Sequence, residues 1–292
     1  MIIVKIQGGL GNQMFEYSVA KWLESSGKNV KLDISHYDTI FKGKSDVTHN
    51  GYELAELFSL SIPYASRKEA ERLGDISRKP LQRIRRNIEG KKATHYTSNR
   101  FQGRRWYYPE LAEIENGYLD GAWCSFKYAE HCEDIIRKEF VFNGKLEGKN
   151  KEVAEDMVKS EAVSIHIRHG DYLKLQDIYN ILEPEYYFNG IKYIKKHVKN
   201  PVFYCFSDDI EWCRNVFGTQ VKYIDWNVGK NSYIDMQLMS LCKHNILANS
   251  TFSMWGAWLN NNKKKIIIRP KRVLKKMEDE YKDMFPESWT VI

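Results

Sequence analysis

The sequence has no long hydrophobic run, and no stretch approaches the roughly 18 uninterrupted apolar residues that a transmembrane helix needs. Residues 1–5 lead directly into a strand-like segment, without the basic region, apolar region and cleavage site of a secretory signal. Both absences argue against export and against membrane insertion. We therefore expect a cytoplasmic protein, in which any membrane contact is peripheral and on the inner face.

Cysteine is also sparse. The chain has five cysteines, an odd number, and no two of them form a C-x-x-C pair. This pattern argues against a disulfide framework and against a zinc site, and it is typical of a reduced cytosolic interior.

Three familiar phosphate- and metal-binding motifs are missing. Gly9 and Gly11 follow the first strand as in a dinucleotide fingerprint, but Met14 stands where G-x-G-x-x-G needs its third glycine. No G-x-x-x-x-G-K-[ST] occurs, so hydride transfer and phosphoryl transfer are poorly supported. There is no D-x-D either. We therefore expect no metal and no other cofactor.

Positive charge is concentrated in one segment. The chain carries 45 Lys and Arg against 38 Asp and Glu, a net charge of +7. Residues 78–105 hold ten of the basic side chains and one acid, Glu89, which leaves a net charge of about −2 elsewhere. The segment is either a solvated helical face or a contact with the anionic inner membrane surface, where lipid-linked saccharides lie. Nucleic acid is not expected as a partner, because no nucleic-acid-binding module is recognised.

The hydrophobic pattern predicts an α/β protein. Residues 2–6, 12–26 and 30–34 form a β-α-β unit, and its crossover helix implies a parallel sheet. In the second half, strands alternate with helices, which predicts an open, mostly parallel sheet. The expected strands are 162–167, 201–206, 221–224, 245–248 and 265–268. The expected helices are 184–197, 208–217, 233–242 and 251–261.

The region between these halves is less regular. It predicts short helices near 52–59, 66–74 and 80–89, a strand at 118–123 and a helix at 126–140. Residues 143–150 are polar and contain glycine, which is typical of a domain boundary. We therefore divide the chain into lobes 1–145 and 146–292.

Polar side chains follow the strands of the second half. His166, Arg168 and Asp171 come at the end of one strand, Asp208 follows the next, and residues 249–253 follow a third. Ligands of open α/β sheets bind beyond the carboxyl ends of the strands, so these segments predict one ligand site.

The chemistry of two of these segments suits a diphosphate. Asn249 or Ser250 is predicted to cap a helix, and a helix N-terminus presents N–H groups and partial positive charge to phosphate. Arg168 offers a fixed cation whose fork matches phosphate oxygens. The alternatives are an ordinary helix cap and an Arg168 that pairs with Asp171 for structure only.

Four segments in this order resemble glycosyltransferase family 11, the α-1,2-fucosyltransferases. They are residues 8–15 (GGLGNQMF), 163–172 (VSIHIRHGDY), 206–209 (FSDD) and 249–258 (NSTFSMWGAW). The resemblance covers most of the chain, although residues 36–110 carry little of it.

The resemblance implies a GT-B-like fold, with two Rossmann-like lobes of mostly parallel sheets and a cleft between them. It implies that lobe 146–292 binds GDP-L-fucose and that lobe 1–145 binds the acceptor. The implied reaction is an inverting, metal-independent transfer of fucose to the 2-hydroxyl of a galactose. The implied acceptor is a galactose-containing oligosaccharide or lipid-linked glycan.

The resemblance also implies roles for single residues, some by similarity to the wider fucosyltransferase superfamily. Arg168 would contact the diphosphate, His166 would lie by the nucleotide, and Asn12 would face the transferred sugar. Asp235, sixteen residues before Thr251, would read the guanine. The other implied donor contacts are Asp208, Asn249, Ser250, Thr251 and Phe252.

An inverting transferase also needs a base for the acceptor hydroxyl. Asp171 is our candidate, unless it only orients Arg168 or caps the backbone. Asp33, Glu16 and Asp120 flank elements of the first lobe and are further candidates.

Two departures from the family pattern keep other functions open. His169 stands where the family has its second arginine, and Cys124 stands where it usually has an amide. The alternatives are another donor, such as GDP-L-galactose or a rhamnose nucleotide, and a non-catalytic saccharide- or nucleotide-binding protein.

Overall fold

The computed structural model describes residues 1–40, 49–77, 79–97, 106–170, 172–275 and 283–292. The described chain forms two compact units. The first contains residues 1–143 and 283–285, and the second contains residues 144–275 and 286–292. The chain therefore passes from the first unit to the second within the polar segment 143–150.

The first unit is built on a four-stranded parallel sheet. Its strands are β1 (Ile2–Lys5), β2 (Val30–Asp33), β3 (His95–Tyr96) and β4 (Gly117–Leu119), in the order β2-β1-β4-β3. Its helices are α1 (Leu10–Ser25), α2 (Tyr37–Ile40), α3 (Leu54–Leu57), α4 (Arg67–Gly74), α5 (Pro80–Glu89), α6 (Phe126–Glu130) and α7 (Glu133–Glu139). Helix α1 is the crossover between β1 and β2, and it buries Met14, Phe15 and Val19 as its helical spacing predicts.

The second unit is built on a six-stranded sheet in which every pairing is parallel. Along the chain it runs α8 (Gly148–Lys159), β5 (Glu161–Ile167), α9 (Pro184–His197), β6 (Pro201–Ser207), α10 (Ile210–Phe217), β7 (Lys222–Ile224), α11 (Tyr233–Leu241), β8 (His244–Ile246), α12 (Thr251–Trp258), β9 (Ile267–Arg269) and β10 (Thr290–Val291). The strand order is β10-β9-β8-β5-β6-β7. Strand β5 is thus central, between β6 and β8.

Close packing fixes the helices of the second unit against their neighbours. A Cβ atom on Gly190 would lie 3.1 Å from Cγ2 of Ile246, so α9 lies directly on β8. A Cβ atom on Gly256 would lie 3.1 Å from Cβ of Met239, so α12 lies directly on α11. These contacts fix α9 against β8, and α12 against α11 near the C-terminal ends of the two helices.

Several predicted boundaries are wrong. The predicted helix over 126–140 is interrupted between α6 and α7, where Cys132 leaves the helical conformation with φ −138° and ψ 38°. The predicted strand at 118–123 ends at Leu119. The prediction also omits four elements: α2, β3, α8 and β10. Helix α8 is rich in charged residues, and the other three elements are short.

None of the helices in the described part of the chain combines the length and the apolar character needed to cross a bilayer.

Candidate functional site

Arg168 lies just beyond the carboxyl end of β5, at the centre of the second sheet. Its Nη1 atom is 3.3 Å from Oδ2 of Asp208, which follows the neighbouring strand β6. Its guanidinium also lies over the ring of Tyr172, 5.7 Å from the centroid. Asp171, the expected partner of Arg168 and the candidate base, lies outside the described residues. Arg168 is thus held from two sides at the edge where ligands of such sheets bind.

Asp208 shapes the loop that carries Arg168. Its Oδ1 atom accepts the backbone N–H of His169 at 2.9 Å and that of Gly170 at 3.2 Å. A Cβ atom on Gly170 would lie 3.3 Å from Oδ2 of Asp208, so the loop approaches this carboxylate closely. A carboxylate would repel a diphosphate. Asp208 is therefore placed to position Arg168, and its implied contact with the donor stays a prediction.

His169 is held by the start of the next helix. Its Nδ1 atom is 2.7 Å from Oδ2 of Asp209, and its ring stacks on Trp212 with centroids 4.7 Å apart. Asp209 also accepts the N–H of Trp212 at 3.1 Å and so caps α10. The hydrogen bond from His169 lowers the pKa of Asp209. The imidazole is therefore part of a fixed cluster beside Arg168.

His166 points from β5 toward the start of α12. Only 5% of it is exposed, and its ring lies 5.7 Å from that of Phe252. Burial lowers its pKa to about 3, and the charge of Arg168 adds to the effect. Its Nδ1 atom is buried with no hydrogen-bond partner among the described residues. A neutral imidazole with an unsatisfied nitrogen suits a polar ligand at this edge.

The start of α12 meets the Arg168 loop. Ser250 is the N-cap residue, as predicted, but its side chain does not bond to the helix. The hydroxyl of Tyr172 donates to the carbonyl of Asn249 at 3.2 Å, which joins the two loops. Thr251 and Phe252 form the first helical turn and are partly exposed. The helix N-terminus and Arg168 are thus brought to one place, as a diphosphate site requires.

Of the two predicted cap residues, Ser250 is the N-cap, and Asn249 joins loops instead. Its Nδ2 atom donates to the carbonyl of Asn180 at 2.7 Å and to that of Val273 at 2.9 Å. The residue is 2% exposed. The amide nitrogen therefore fastens two loops to the α12 turn, and it caps no helix.

Asp235 lies in the first turn of α11, the helix on which α12 packs. It accepts a hydrogen bond from Nδ2 of Asn227 at 2.8 Å, and Asn227 is in turn bonded to Asn150. Burial raises the pKa of Asp235 to about 7, against the opposing effect of the Asn227 hydrogen bond. Asp235 is therefore a half-buried carboxyl group that changes charge near neutral pH.

Asn12 lies in the first turn of α1, beside the glycine turn of the first unit. Gly8 has φ 74°, which favours glycine, and a Cβ atom there would lie 2.8 Å from Nδ2 of Asn12. The carbonyl of Gly8 accepts hydrogen bonds from the hydroxyl of Tyr37 at 2.8 Å and from Nε2 of Gln13 at 3.0 Å. The turn thus places Asn12 at the carboxyl end of β1, as the family pattern implies.

The other candidate bases lie at the same edge of the first sheet, and their surroundings differ. The carboxylate of Asp120 accepts a hydrogen bond from Nζ of Lys5 at 2.8 Å and lies 3.3 Å from Nε2 of His95. Burial alone would raise the pKa of Asp120, but the contacts with His95 and Lys5 outweigh it and lower the pKa strongly. Burial raises the pKa of Glu16 well above its usual value. Asp33 accepts from the hydroxyl of Tyr118 at 2.7 Å. Asp120 is therefore a weak base, and burial favours the protonated form of Glu16.

Two histidines that the sequence analysis did not single out flank this edge. The rings of His36 and His49 lie 5.3 Å and 5.7 Å from that of Tyr37. Burial lowers the pKa of both, which favours the neutral imidazole, the form that has a free nitrogen to take a proton. His36 lies three residues beyond the end of β2, so the rule about carboxyl ends of strands, applied to the first half, could have found it.

Within the described ranges, no three His, Cys, Asp or Glu side chains gather in a way that could hold a metal ion. Metal independence stays a prediction.

Comparison with known proteins gives consistent results along the whole chain. The profile of Glycosyl transferase family 11 matches residues 1–292. The chain is 32% identical to an alpha-1,2-colitosyltransferase of Escherichia coli, covering 100% of this chain and 99% of that protein. It is 31% identical to the O-antigen biosynthesis glycosyltransferase WbnK of Escherichia coli, covering 91% and 93% of the two chains.

A more distant relative and a solved structure extend the comparison. The chain is 23% identical to mouse galactoside 2-alpha-L-fucosyltransferase Sec1, covering 89% of this chain and 64% of that protein. The fucosyltransferase NodZ from Bradyrhizobium superposes with a TM-score of 0.50 at 15% identity, covering 87% and 91% of the two chains. This likeness shows the fold, and it confirms the predicted α/β architecture with parallel sheets of the GT-B type.

Proposed function

The chain belongs to glycosyl transferase family 11, and from this premise we propose that it moves L-fucose from GDP-β-L-fucose to the 2-hydroxyl of a galactose. The acceptor is a galactose-containing oligosaccharide or lipid-linked glycan, which the enzyme meets at the inner membrane face. The observation that carries the proposal is Arg168, held by Asp208 and Tyr172 next to the first turn of α12. The second unit is then the donor-binding lobe and the first the acceptor-binding lobe.

The reaction requires charge to be neutralised where it develops. As the bond between fucose C1 and the phosphate oxygen breaks, negative charge grows on the GDP leaving group. Arg168 and the N-terminus of α12 supply positive charge there, and we propose that they do so without a metal ion. The acceptor oxygen forms its new bond on the opposite face of C1, and its proton passes to a base. Asp171 remains our candidate for that base.

The guanine is read by Asp235 in this proposal. An ionised carboxylate accepts from N1–H and the N2 amino group of guanine together, a pattern that adenine and uracil do not present. The support is its place on α11, the helix that packs against α12 through Gly256 and Met239.

A second donor has one specific observation in its favour. The relative at 32% identity is a colitosyltransferase, and colitose is L-fucose without its 3-hydroxyl. A site that hydrogen-bonds that hydroxyl would reject colitose strongly, whereas a site that only accommodates it would accept both sugars. The two donors therefore differ at one atom that an assay can test.

The experiment is a transfer assay with GDP-L-fucose, GDP-colitose, GDP-L-galactose and a rhamnose nucleotide against β-galactosides. We expect GDP-L-fucose to give the highest kcat/KM and an α-1,2 linkage. Preference for another nucleotide would assign that donor. Nucleotide binding without transfer or donor hydrolysis would contradict the proposal and indicate a binding protein.

A further inference from the structure

Helix α5 is attached to the first unit by its polar face. Nη2 of Arg85 pairs with the carboxylate of Asp75, and Nη2 of Arg86 donates to the carbonyl of Ser77 at 2.6 Å. Asp75 is only 3% exposed and ends helix α4. None of the residues of α5 is buried. The helix is therefore held by arginines, and not by an apolar face.

The apolar face of α5 points away from the unit. Leu81 and Ile88 are each 80% exposed, and Ile84 is 56% exposed. Their spacing of three and four residues places them on one side of the helix. We call these three side chains the apolar ridge. A ridge of this kind left in water usually marks a surface that another apolar phase covers.

The charge around the apolar ridge indicates what covers it. The exposed side chains of Lys79 and Arg83 lie at the start of α5 and on it, against the single acid Glu89. Lys91 and Lys92 follow the helix and are also exposed, with their Nζ atoms bonded to Nε2 of His95 at 2.7 Å and to the carbonyl of Arg72 at 3.2 Å. A second copy of the chain would bring its own basic segment against this one, and like charges would repel. An anionic lipid surface complements the basic residues and accepts the aliphatic side chains.

We propose that α5 is an interfacial helix, whose apolar ridge enters the surface of an anionic bilayer while Arg85 and Arg86 hold it to the protein. The proposal narrows the membrane contact expected from residues 78–105 to one face of one helix. It rests on α5 alone and not on the proposed function, so a different donor or acceptor would leave it unchanged.

The experiment is co-sedimentation of the full chain with lipid vesicles. We expect binding to vesicles of phosphatidylglycerol and phosphatidylcholine, weaker binding to pure phosphatidylcholine, and loss of binding at high salt. The double variant Leu81→Gln/Ile88→Gln should lower the partition coefficient at least about tenfold, because it removes most of the buried apolar surface. Arg83→Glu should lower it about fivefold or more.

The matched control is Val141→Gln/Val158→Gln, at two valines that are each 61% exposed elsewhere on the surface. It should bind vesicles like the wild type. Transfer to a soluble galactoside should stay unchanged in all of these variants, which separates docking from catalysis. Equal vesicle binding by the ridge variant and the wild type would overturn the proposal. The proposal would also be overturned if the wild-type protein did not bind vesicles and the ridge variant differed from it in mass by light scattering. The ridge would then join two copies of the chain.

Discussion

Arg168 and Asp208 follow neighbouring parallel strands, and Nη1 of Arg168 lies 3.3 Å from Oδ2 of Asp208. The same carboxylate accepts two backbone N–H groups of the loop after Arg168. The pair therefore fixes both the direction of the guanidinium and the path of the loop. A cation fixed before the reaction stabilises developing charge without reorganising.

This pairing predicts that Asp208 acts through Arg168. Asp208→Asn keeps an oxygen for the backbone N–H groups but loses the ionic contact, so the guanidinium should become less well oriented. We expect kcat to fall about tenfold or more, by less than the loss on removing a preorganised donor itself. Steady-state kinetics test this, with Asp225→Asn as the control, because Asp225 pairs with Arg214 at an exposed site of the same unit. A variant with wild-type kcat would show that Asp208 does not position Arg168.

Guanine recognition by Asp235 should depend on pH. The pKa of about 7 means that the carboxyl group is ionised above neutral pH and protonated below it. Only the ionised form accepts both guanine donors, so the preference for GDP over UDP should fall as the pH falls from 8 to about 6. Calorimetry gives the dissociation constants of GDP and UDP at each pH. The phosphates of both nucleotides titrate alike, so their effect cancels in the ratio of the two constants.

At high pH we expect GDP to bind at least about tenfold tighter than UDP or ADP, a difference of about 1.4 kcal/mol. In Asp235→Asn the ratio should be small and independent of pH. A ratio that is equally large and equally pH-dependent in the variant would assign guanine recognition to another group.

Removal of metal should have little effect. Arg168 and the start of α12 supply the positive charge that a bridging metal ion provides in other transferases, so EDTA should leave the rate within about twofold. The assay is run after dialysis against EDTA, with and without added Mg²⁺ or Mn²⁺. A large loss that these ions restore would reveal a metal requirement.

The base can be separated from the donor site by its effect on transfer alone. If Asp171 takes the acceptor proton, Asp171→Asn should lower kcat for transfer by about 10²–10⁴ and leave GDP binding intact. His36→Gln is the companion variant, because burial lowers the pKa of His36 and so favours the neutral imidazole. If only the His36 variant loses transfer in this way, His36 is the base and the assignment to Asp171 is wrong.

The sequence predicted strands β5 to β9 of the second sheet because strongly periodic segments reveal their own secondary structure, and it missed the two-residue strand β10. The sequence also predicted that Arg168 and the start of α12 lie at the same edge of the sheet, because the carboxyl ends of parallel strands lie on the same side. It did not predict Asp208 as the partner of Arg168. That contact joins residues on separate strands, and no local pattern encodes it.

Asn249 and α5 show the same limit in other ways. The Asn249 amide bonds to carbonyls 69 and 24 residues away, so its local sequence indicates only a helix cap. The spacing of the apolar residues in α5 indicates an amphipathic helix, but it does not indicate which face contacts the rest of the first unit. The buried Asp75 decides that, by pairing with Arg85. Tertiary partners of polar groups were therefore the part that the sequence could not supply.

The central claim is that Arg168 stabilises the leaving diphosphate in the transition state, and steady-state kinetics of Arg168 variants test it most directly. Arg168→Ala should lower kcat by about 10²–10³. Arg168→Lys should also be badly impaired, because it keeps the charge but loses the fork. Arg214→Ala, which removes an exposed arginine of the same unit, should match the wild type, and thermal melts should show all variants folded. A folded Arg168→Ala variant that keeps more than about a tenth of the wild-type kcat would contradict the account, because its loss would fall below that of one preorganised donor.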